Sequence, residues 1–431
     1  MKAIIITRLY SGLKGVIENS EWNPYGVPAI CKMIEGFNNR KLPLDVLFLC
    51  KTGTEGINIK RIKQYCFDEL PFVKISVLPY YSLRVNSSKL KQIYNDIIQF
   101  FLVLKLFRIR HYDLAYFDRA NIVLAAIFSL IGVKTVVRFL GIANFRYLME
   151  SKYVLFSPLV FLSLKAPFSL VICTEDGSPS KRLFSKCLNK STPYRIMING
   201  VDKVSTLKKD KDFIKGKYNF NDNGPVILFV GRLTEDKGAR QFIDALIQLN
   251  NHTKEFHAVM ICGGGDVTFL RNILKSKGVE ELVVFEKYVE QKNIMYYFHQ
   301  SDIYVSLNKL GNLSNTVLEA MAVGNCIVML GKEKETHTDE STERLVPDDV
   351  VIRINRQDIV NDLTDKLIDL IDNPEKINTY SERMKTFSKE FSWSWDERIN
   401  YEMELLERVA KGKAIEMSML RNVHNERKGL L

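Results

Sequence analysis

Short apolar runs, each followed by Gly, Asp, Asn or Ser and then a helical stretch, recur from one end of this chain to the other. In the first half they fall at Lys2–Ile6, Asp45–Leu49, Leu114–Phe117, Lys134–Arg138 and Leu170–Ile172. In the second half they fall at Val226–Val230, His257–Ile261, Leu282–Phe285, Ile303–Val305 and Cys326–Met329. Runs this short, rich in β-branched and aromatic residues and alternating with helical patterns, predict βα units and parallel sheets. The rhythm breaks near Asn199–Asn223, in a polar stretch that includes Lys208-Lys209-Asp210-Lys211. Two sets separated by one break predict an α/β fold of two doubly wound domains. The 431 residues give each domain enough chain for a full-sized core.

Charge is unevenly shared. Residues 1–200 carry 28 Lys+Arg against 13 Asp+Glu, net +15; residues 201–431 carry 33 against 37, net −4. A basic half predicts contact with an anionic surface or ligand. Met1–Tyr10 reads as a first strand rather than a signal peptide. The longest charge-free stretch, between Arg119 and Lys134, holds 14 residues, short of the roughly 20 that a spanning helix needs. Seven scattered cysteines without a C-x-x-C pair predict neither a disulfide framework nor a zinc site. The expectation is a cytoplasmic protein, soluble or peripherally bound at the inner face of the cell membrane.

Open parallel sheets bind ligands beyond the carboxyl ends of their strands, where strand order reverses. Two such sheets facing each other would place a site in the cleft between them, so the loops after the second-half strands matter most. In Leu228-Phe229-Val230-Gly231-Arg232-Leu233-Thr234-Glu235-Asp236-Lys237-Gly238, a buried strand is expected to end at Gly231 in a tight turn. Arg232 and Lys237 then flank the entry to a helix starting near Ala239. Two cations beside free backbone amides suit a diphosphate; solvated surface charges are the other reading. Farther on, Gly311-Asn312-Leu313-Ser314-Asn315-Thr316-Val317-Leu318-Glu319 places Asn315 and Thr316 in a helix's first turn. The dipole and free N–H groups of that turn suit an anion. Glu319, one turn inside, can accept hydrogen bonds from a ribose or serve simply as a helix-stabilising acid. Cys262-Gly263-Gly264-Gly265-Asp266 permits close backbone approach, or just a turn. No metal-ligand spacing, P-loop or serine-hydrolase elbow occurs.

In this order the motifs resemble retaining glycosyltransferases of family 4, within the glycosyl transferases group 1. The residues that carry the resemblance are Asn199-Gly200-Val201-Asp202, the run ending at Gly238, and Gly263–Asp266. They continue through Tyr296-Tyr297, Asp302–Ser306, Leu318-Glu319-Ala320-Met321, Gly324 and Phe391-Ser392-Trp393. The resemblance is strong over residues 195–400 and architectural before that. It implies the GT-B fold, two Rossmann-like domains facing across a cleft: an acceptor domain at 1–203, a nucleotide-sugar domain at 204–390, and C-terminal helices at 391–431 that return at least partly to the first domain. It implies that Arg232 and Lys237 bind and stabilise the donor diphosphate, that the backbone at Asn315 and Thr316 approaches the phosphates, and that Glu319 holds the ribose. With those cations in place it implies no cofactor and no metal. Two departures stand out. Gly311 occupies the place of the family's first motif glutamate, and Leu140 the place of a first-domain histidine. The family's glycine loop after the first strand is best matched by Pro24-Tyr25-Gly26-Val27-Pro28.

The expected activity is transfer of a sugar from a nucleotide-diphosphate sugar to a lipid-linked or cell-surface polysaccharide precursor, such as capsule or lipopolysaccharide, with retention of configuration. The alternative is a GT-B homologue that binds nucleotide sugars but is epimerase-like or non-catalytic. Expected partners are the nucleotide-sugar donor, a glycan or glycolipid acceptor, and an anionic membrane surface. Lys89–Arg110, with a second patch at Ser151–Lys165, can be read as that membrane contact or as a buried helix with basic ends. No interleaving of aromatic and basic residues points to nucleic acid.

Overall fold

The structure is a computed structural model and describes residues 1–51, 61–83, 86–150, 157–202, 213–220, 224–263, 265–287 and 289–415. Gly264, Lys208–Lys211, residues 151–156 and the 203/204 boundary lie outside them. The chain forms two compact units. One comprises Met1–Thr174, Ser180–Met197 and the chain from Trp395; the other comprises Glu175–Pro179 and Ile198–Ser394.

The first unit holds strands β1 (Ala3–Arg8), β2 (Leu44–Leu49), β3 (Lys63–Tyr65), β4 (Val73–Leu78), β5 (Leu114–Asp118), β6 (Thr135–Phe139), β7 (Leu170–Thr174) and β8 (Tyr194–Met197). Their order is β3-β4-β2-β1-β5-β6-β7-β8, parallel except for β3, which pairs antiparallel with β4. β1 is flanked on both sides, with Ala3 opposite both Leu44 and Leu114. A strand covered on both faces needs an unbroken apolar run, which Ala3-Ile4-Ile5-Ile6 supplies. Helices α1 (Ser11–Asn19), α2 (Pro28–Asn39), α3 (Ser88–Ile109), α4 (Ile122–Leu130), α5 (Pro158–Leu164) and α6 (Ser180–Cys187) connect the strands. One core contains Val103 of α3, Phe128 of α4, Leu164 of α5 and Phe184 of α6, so these four helices share a layer.

The C-terminal helix Trp395–Ala410 packs on α2 and is pinned by a buried polar cluster. Glu402 accepts from Arg398 Nη1 at 2.6 Å and from the Tyr116 hydroxyl at 2.6 Å, with Arg138 Nε at 3.8 Å. Burial alone would raise the Glu402 pKa; the Arg398 and Arg138 charges outweigh it and hold it below the ordinary range. The carboxylate therefore stays charged in the core. The arrangement specifies where the helix docks more than it adds stability.

The second unit holds β9 (Gly200–Val201), β10 (Val226–Arg232), β11 (His257–Gly263), β12 (Val283–Glu286), β13 (Ile303–Ser306), β14 (Cys326–Leu330), β15 (Ile352–Ile354) and β16 (Trp393–Ser394). The six central strands run in the order β12-β11-β10-β13-β14-β15, all parallel, and β9 pairs with β16. Strand order reverses between β10 and β13. Helix α7 (Ala239–His252) buries Ala239, Phe242, Ile243, Leu246 and Leu249, the i, i+3, i+4, i+7 stripe of a helix with one covered face.

Candidate active site

The switch point between β10 and β13 is where a doubly wound sheet opens a crevice, and the loops there are tied together. β10 continues through Gly231 to Arg232, pairing with Cys262 and Gly263. This corrects the expectation of a turn at Gly231, where a Cβ would meet Lys237 Cβ at an ordinary 3.6 Å. The sharp bend is made instead by Gly238. Its φ is +74°, and a Cβ there would lie 2.5 Å from Leu307 Cβ in the loop after β13. Only glycine satisfies both constraints. The same loop returns a hydrogen bond from Lys309 N to Asp236 O at 2.8 Å, and Leu233 N bonds Gly263 O at 3.4 Å.

Arg232 is exposed at the strand end, while the Lys237 side chain is mostly buried, 22% exposed. Lys237 Nζ stands 4.0 Å from Asp236 Oδ2, too far for a hydrogen bond. Burial lowers the ammonium's pKa and the Arg232 charge adds to that; Asp236 and Asp176 push back. A cation held in this condition gains from any anion that reaches it.

Helix α8 (Asn315–Val323) starts at Ser314 without a side-chain cap on its amides. Asn315 Oδ1 accepts from Asn199 Nδ2 at 2.7 Å, and Thr316 Oγ1 accepts from the Tyr304 hydroxyl at 2.9 Å. The side chains are thus held by protein partners, which leaves the backbone amides for a ligand. Glu319 is half-buried one turn in. Burial, aided by the Glu319 charge, raises the Tyr304 pKa, so this phenol remains a neutral donor to Thr316.

The loop before α8 is fixed by a network that sequence reasoning missed. Asn312 is fully buried; its N and Nδ2 donate to the two carboxylate oxygens of Asp339 at 2.7 and 2.8 Å. Asp339 also accepts from Thr342 Oγ1 at 2.7 Å, pairs with Arg356, and sends its N–H to Gly177 O at 2.7 Å. Burial raises the Asp339 pKa despite those donors. Leu313 N bonds Asp176 O at 3.2 Å. The segment Glu175–Pro179, which follows β7, therefore lies on the 311–313 loop. The only sequence signal for it was an acidic pair, Glu175-Asp176, directly after a strand.

Glu175 accepts from Ser341 Oγ at 2.8 Å in helix α9 (Glu340–Leu345) and from Gly177 N at 3.2 Å. Burial, with help from the Asp176 charge, pushes its pKa up from 4.5 to about 7; Ser341, Gly177 N and Arg344 pull the other way. A carboxyl raised on folding stabilises while it is protonated in both states and loses that stabilisation as pH rises from about 4.5 through about 7. Chemical denaturation across that window should show a drop of about 3 kcal/mol attributable to this group. In Glu175→Gln that part of the slope should disappear; a slope equal to the native one would contradict the assignment.

Gly231 and Arg232 end β10, Lys237 lies in the turn after it, and Asn315, Thr316 and Glu319 lie on α8, which follows the adjacent β13; all six belong to the second unit. Gly26 belongs to the first unit, exposed just before α2 and separated from β1 by all of α1. The Gly26 loop accordingly does not follow the first strand directly. Leu140 lies between Phe139, at the end of β6, and Gly141. Among the described residues, no group of three or more His, Cys, Asp or Glu is placed to hold a metal ion.

With 14% identity, a sucrose-phosphate synthase from Thermosynechococcus elongatus superposes on 95% of this chain and 99% of its own, at a TM-score of 0.70. Anabaena HepE, solved in complex with UDP, does so over 94% and 100%, at 0.66 and 18% identity. Identities this low establish the fold alone: the chain has the GT-B architecture of two Rossmann-like units. Residues 210–387, which lie in the second unit, match the family model described as Glycosyl transferases group 1. An uncharacterized glycosyltransferase of Methanocaldococcus jannaschii is 26% identical over 210 residues, 48% of this chain and 50% of that relative. The chain thus spans about half the length of that curated relative.

Proposed function

We propose that the protein is a glycosyltransferase that takes a sugar from a nucleoside-diphosphate sugar and transfers it, with retention of configuration, to a lipid-linked or cell-surface polysaccharide precursor. One observation carries the reading: a mostly buried lysine and an arginine follow β10, and an uncapped helix N-terminus follows the adjacent β13, at the switch point of a sheet within the stretch that matches the glycosyl transferases group 1 model. Negative charge develops on the diphosphate as the glycosidic bond breaks. Preorganised cations and amides aimed at that charge lower the barrier. In this reading Arg232 and Lys237 neutralise the diphosphate without a metal, the α8 amides at Asn315 and Thr316 meet phosphate oxygens, and Glu319 binds the ribose. Gly231 lets the donor approach the strand end. The leaving phosphate serves as the base in front-face transfer. The enzyme would work in the cytoplasm, on precursors of capsule or lipopolysaccharide type.

Gly311 favours a second reading, a nucleotide-sugar-binding homologue without transfer, because the carboxylate expected there is missing. Incubation with a panel of nucleotide sugars, with and without a membrane-derived acceptor extract, separates the two. Transfer predicts nucleoside diphosphate released only when acceptor is present, and a product whose anomeric configuration, read from its NMR coupling constants, is that of the donor. Release that ignores acceptor, or an inverted product, overturns it.

A further inference from the structure

The layer formed by α3, α4 and α5 has an outer face that does not resemble an ordinary protein surface. On α3, Leu90, Ile93, Ile97 and Phe101 are all exposed, Phe101 by 61%. Their spacing, i, i+3, i+7, i+11, places them in one stripe. The same stripe continues with Lys105 and Arg108, both exposed. On α4, Val123, Ile127 and Leu130 form a second exposed stripe at i, i+4, i+7, with Leu130 at 69%, while Leu124, Ala125 and Phe128 point into the core. Phe128 meets Phe107 of α3 at 4.6 Å between ring centroids, which sets the two helices side by side. α5 packs on α4 and exposes Leu159 at 66% and Leu162 at 62%, followed by exposed Lys165.

Isolated exposed apolar residues are ordinary, but three neighbouring helices each presenting a stripe outward form a contiguous patch of the kind that marks an interaction surface. Its charge identifies the partner. α4 and α5 contain no acid, and the sole acid of α3, Asp96, is paired with Lys51 Nζ at 2.9 Å. The remaining charges on these helices and at their ends are basic. Apolar side chains backed by Lys and Arg match an anionic phospholipid interface, where the apolar groups enter the acyl boundary and the bases meet headgroup phosphates. Among the described residues no helix is long and apolar enough to cross a membrane, so contact is along the surface.

We propose that the outer face of α3, α4 and α5 seats the protein on an anionic membrane surface through Phe101, Leu130, Leu159 and Leu162, with Lys105, Arg108 and Lys165 on the lipid phosphates. This deepens the acceptor part of the proposed function by naming the surface, yet it stands on the first unit alone and does not depend on the donor reading. Lys105 and Arg108 continue the apolar stripe of their own helix, so apolar and electrostatic contributions act at one place and can be removed separately.

The test is co-sedimentation of the full chain with vesicles of phosphatidylglycerol and phosphatidylcholine, and with phosphatidylcholine alone. Binding to the anionic vesicles only is expected. The double variant Phe101→Glu, Leu130→Glu should lower partitioning at least about tenfold, since two large apolar side chains no longer enter the interface. Lys105→Glu with Arg108→Glu should lower it about tenfold and remove most of its salt dependence. All four residues are exposed, so unchanged melting temperature and unchanged donor turnover in solution are expected and serve as the folding control. Native protein that stays in the supernatant with both vesicles, or an apolar variant that partitions like the native chain, overturns the proposal. So does light scattering that shows a dimer in the native protein and a monomer in the variants, which would assign the face to a second copy. Vesicle binding without turnover of any nucleotide sugar would fault the donor reading and leave this one standing.

Discussion

Lys237→Ala is expected to lower kcat/KM by about 10²–10³-fold, the loss typical of removing one preorganised charge stabiliser from an active site. The ammonium is mostly buried, its pKa is lowered by that burial, and it stands 4.0 Å from its nearest carboxylate rather than in a close ion pair. A cation held this way contributes little to folding, so stability should change by less than about 1 kcal/mol. Arg232 is exposed and more hydrated, and Arg232→Ala is expected to cost about tenfold. Release of nucleoside diphosphate and thermal unfolding, measured on the same preparations, check both expectations. Equal losses of activity and stability would make Lys237 a structural residue instead.

Gly311→Glu is expected to destabilise the protein by about 3 kcal/mol or more and to abolish turnover. On sequence alone this substitution looks like a repair, because it restores a carboxylate eight residues before Glu319. The structure predicts the opposite. Gly311 has a φ of +143°, and a Cβ there would lie 2.3 Å from Asp176 O and 2.9 Å from both Gly177 C and Ser178 N. The obstacle is backbone, which cannot rotate away. To admit a side chain, the Glu175–Pro179 segment would have to leave the 311–313 loop, breaking the Leu313–Asp176 and Asp339–Gly177 bonds. Backbone strain and overpacking of this kind each cost about 1–3 kcal/mol. Gly311→Ala should show most of the stability loss, because the clash begins at Cβ. Urea denaturation of the two variants tests this; a Gly311→Glu protein with native stability and raised activity would refute the loop placement.

What the sequence disclosed about the fold follows physical lines. Strands buried on both faces, such as β1, β5, β7 and β14, announce themselves as continuous apolar runs, and their reading differs from the structure by one or two residues at the ends. β3, β8 and β15 are short and carry charged residues, Lys63, Arg195 and Arg353, so no apolar run marks them. β4 has no continuous apolar run either, because Val73-Lys74-Ile75-Ser76-Val77 alternates as a half-exposed strand should. At the site, residues on the regular elements β10 and α8 were legible because strand-to-helix turns carry local motifs. The Asp339–Asn312 clamp and the Glu175–Pro179 segment were not. Their partners lie 27 and more than 130 residues apart in sequence, and a buried acid at positive φ, like Asp339, leaves no local trace. The exposed stripes of α3 and α4 were ambiguous for the same reason: helical periodicity reveals that faces differ, and only packing reveals which face is covered.

The central claim is that the second unit holds a nucleoside diphosphate on Arg232, Lys237 and the start of α8. Titration calorimetry with matched nucleosides and nucleoside diphosphates of each base tests it most directly. For one base, the diphosphate should bind at least about a hundredfold more tightly than its nucleoside, and Lys237→Ala should erase most of that difference while leaving nucleoside affinity unchanged. Diphosphate and nucleoside binding with equal affinity, or a preference for diphosphate that survives in Lys237→Ala, would contradict it.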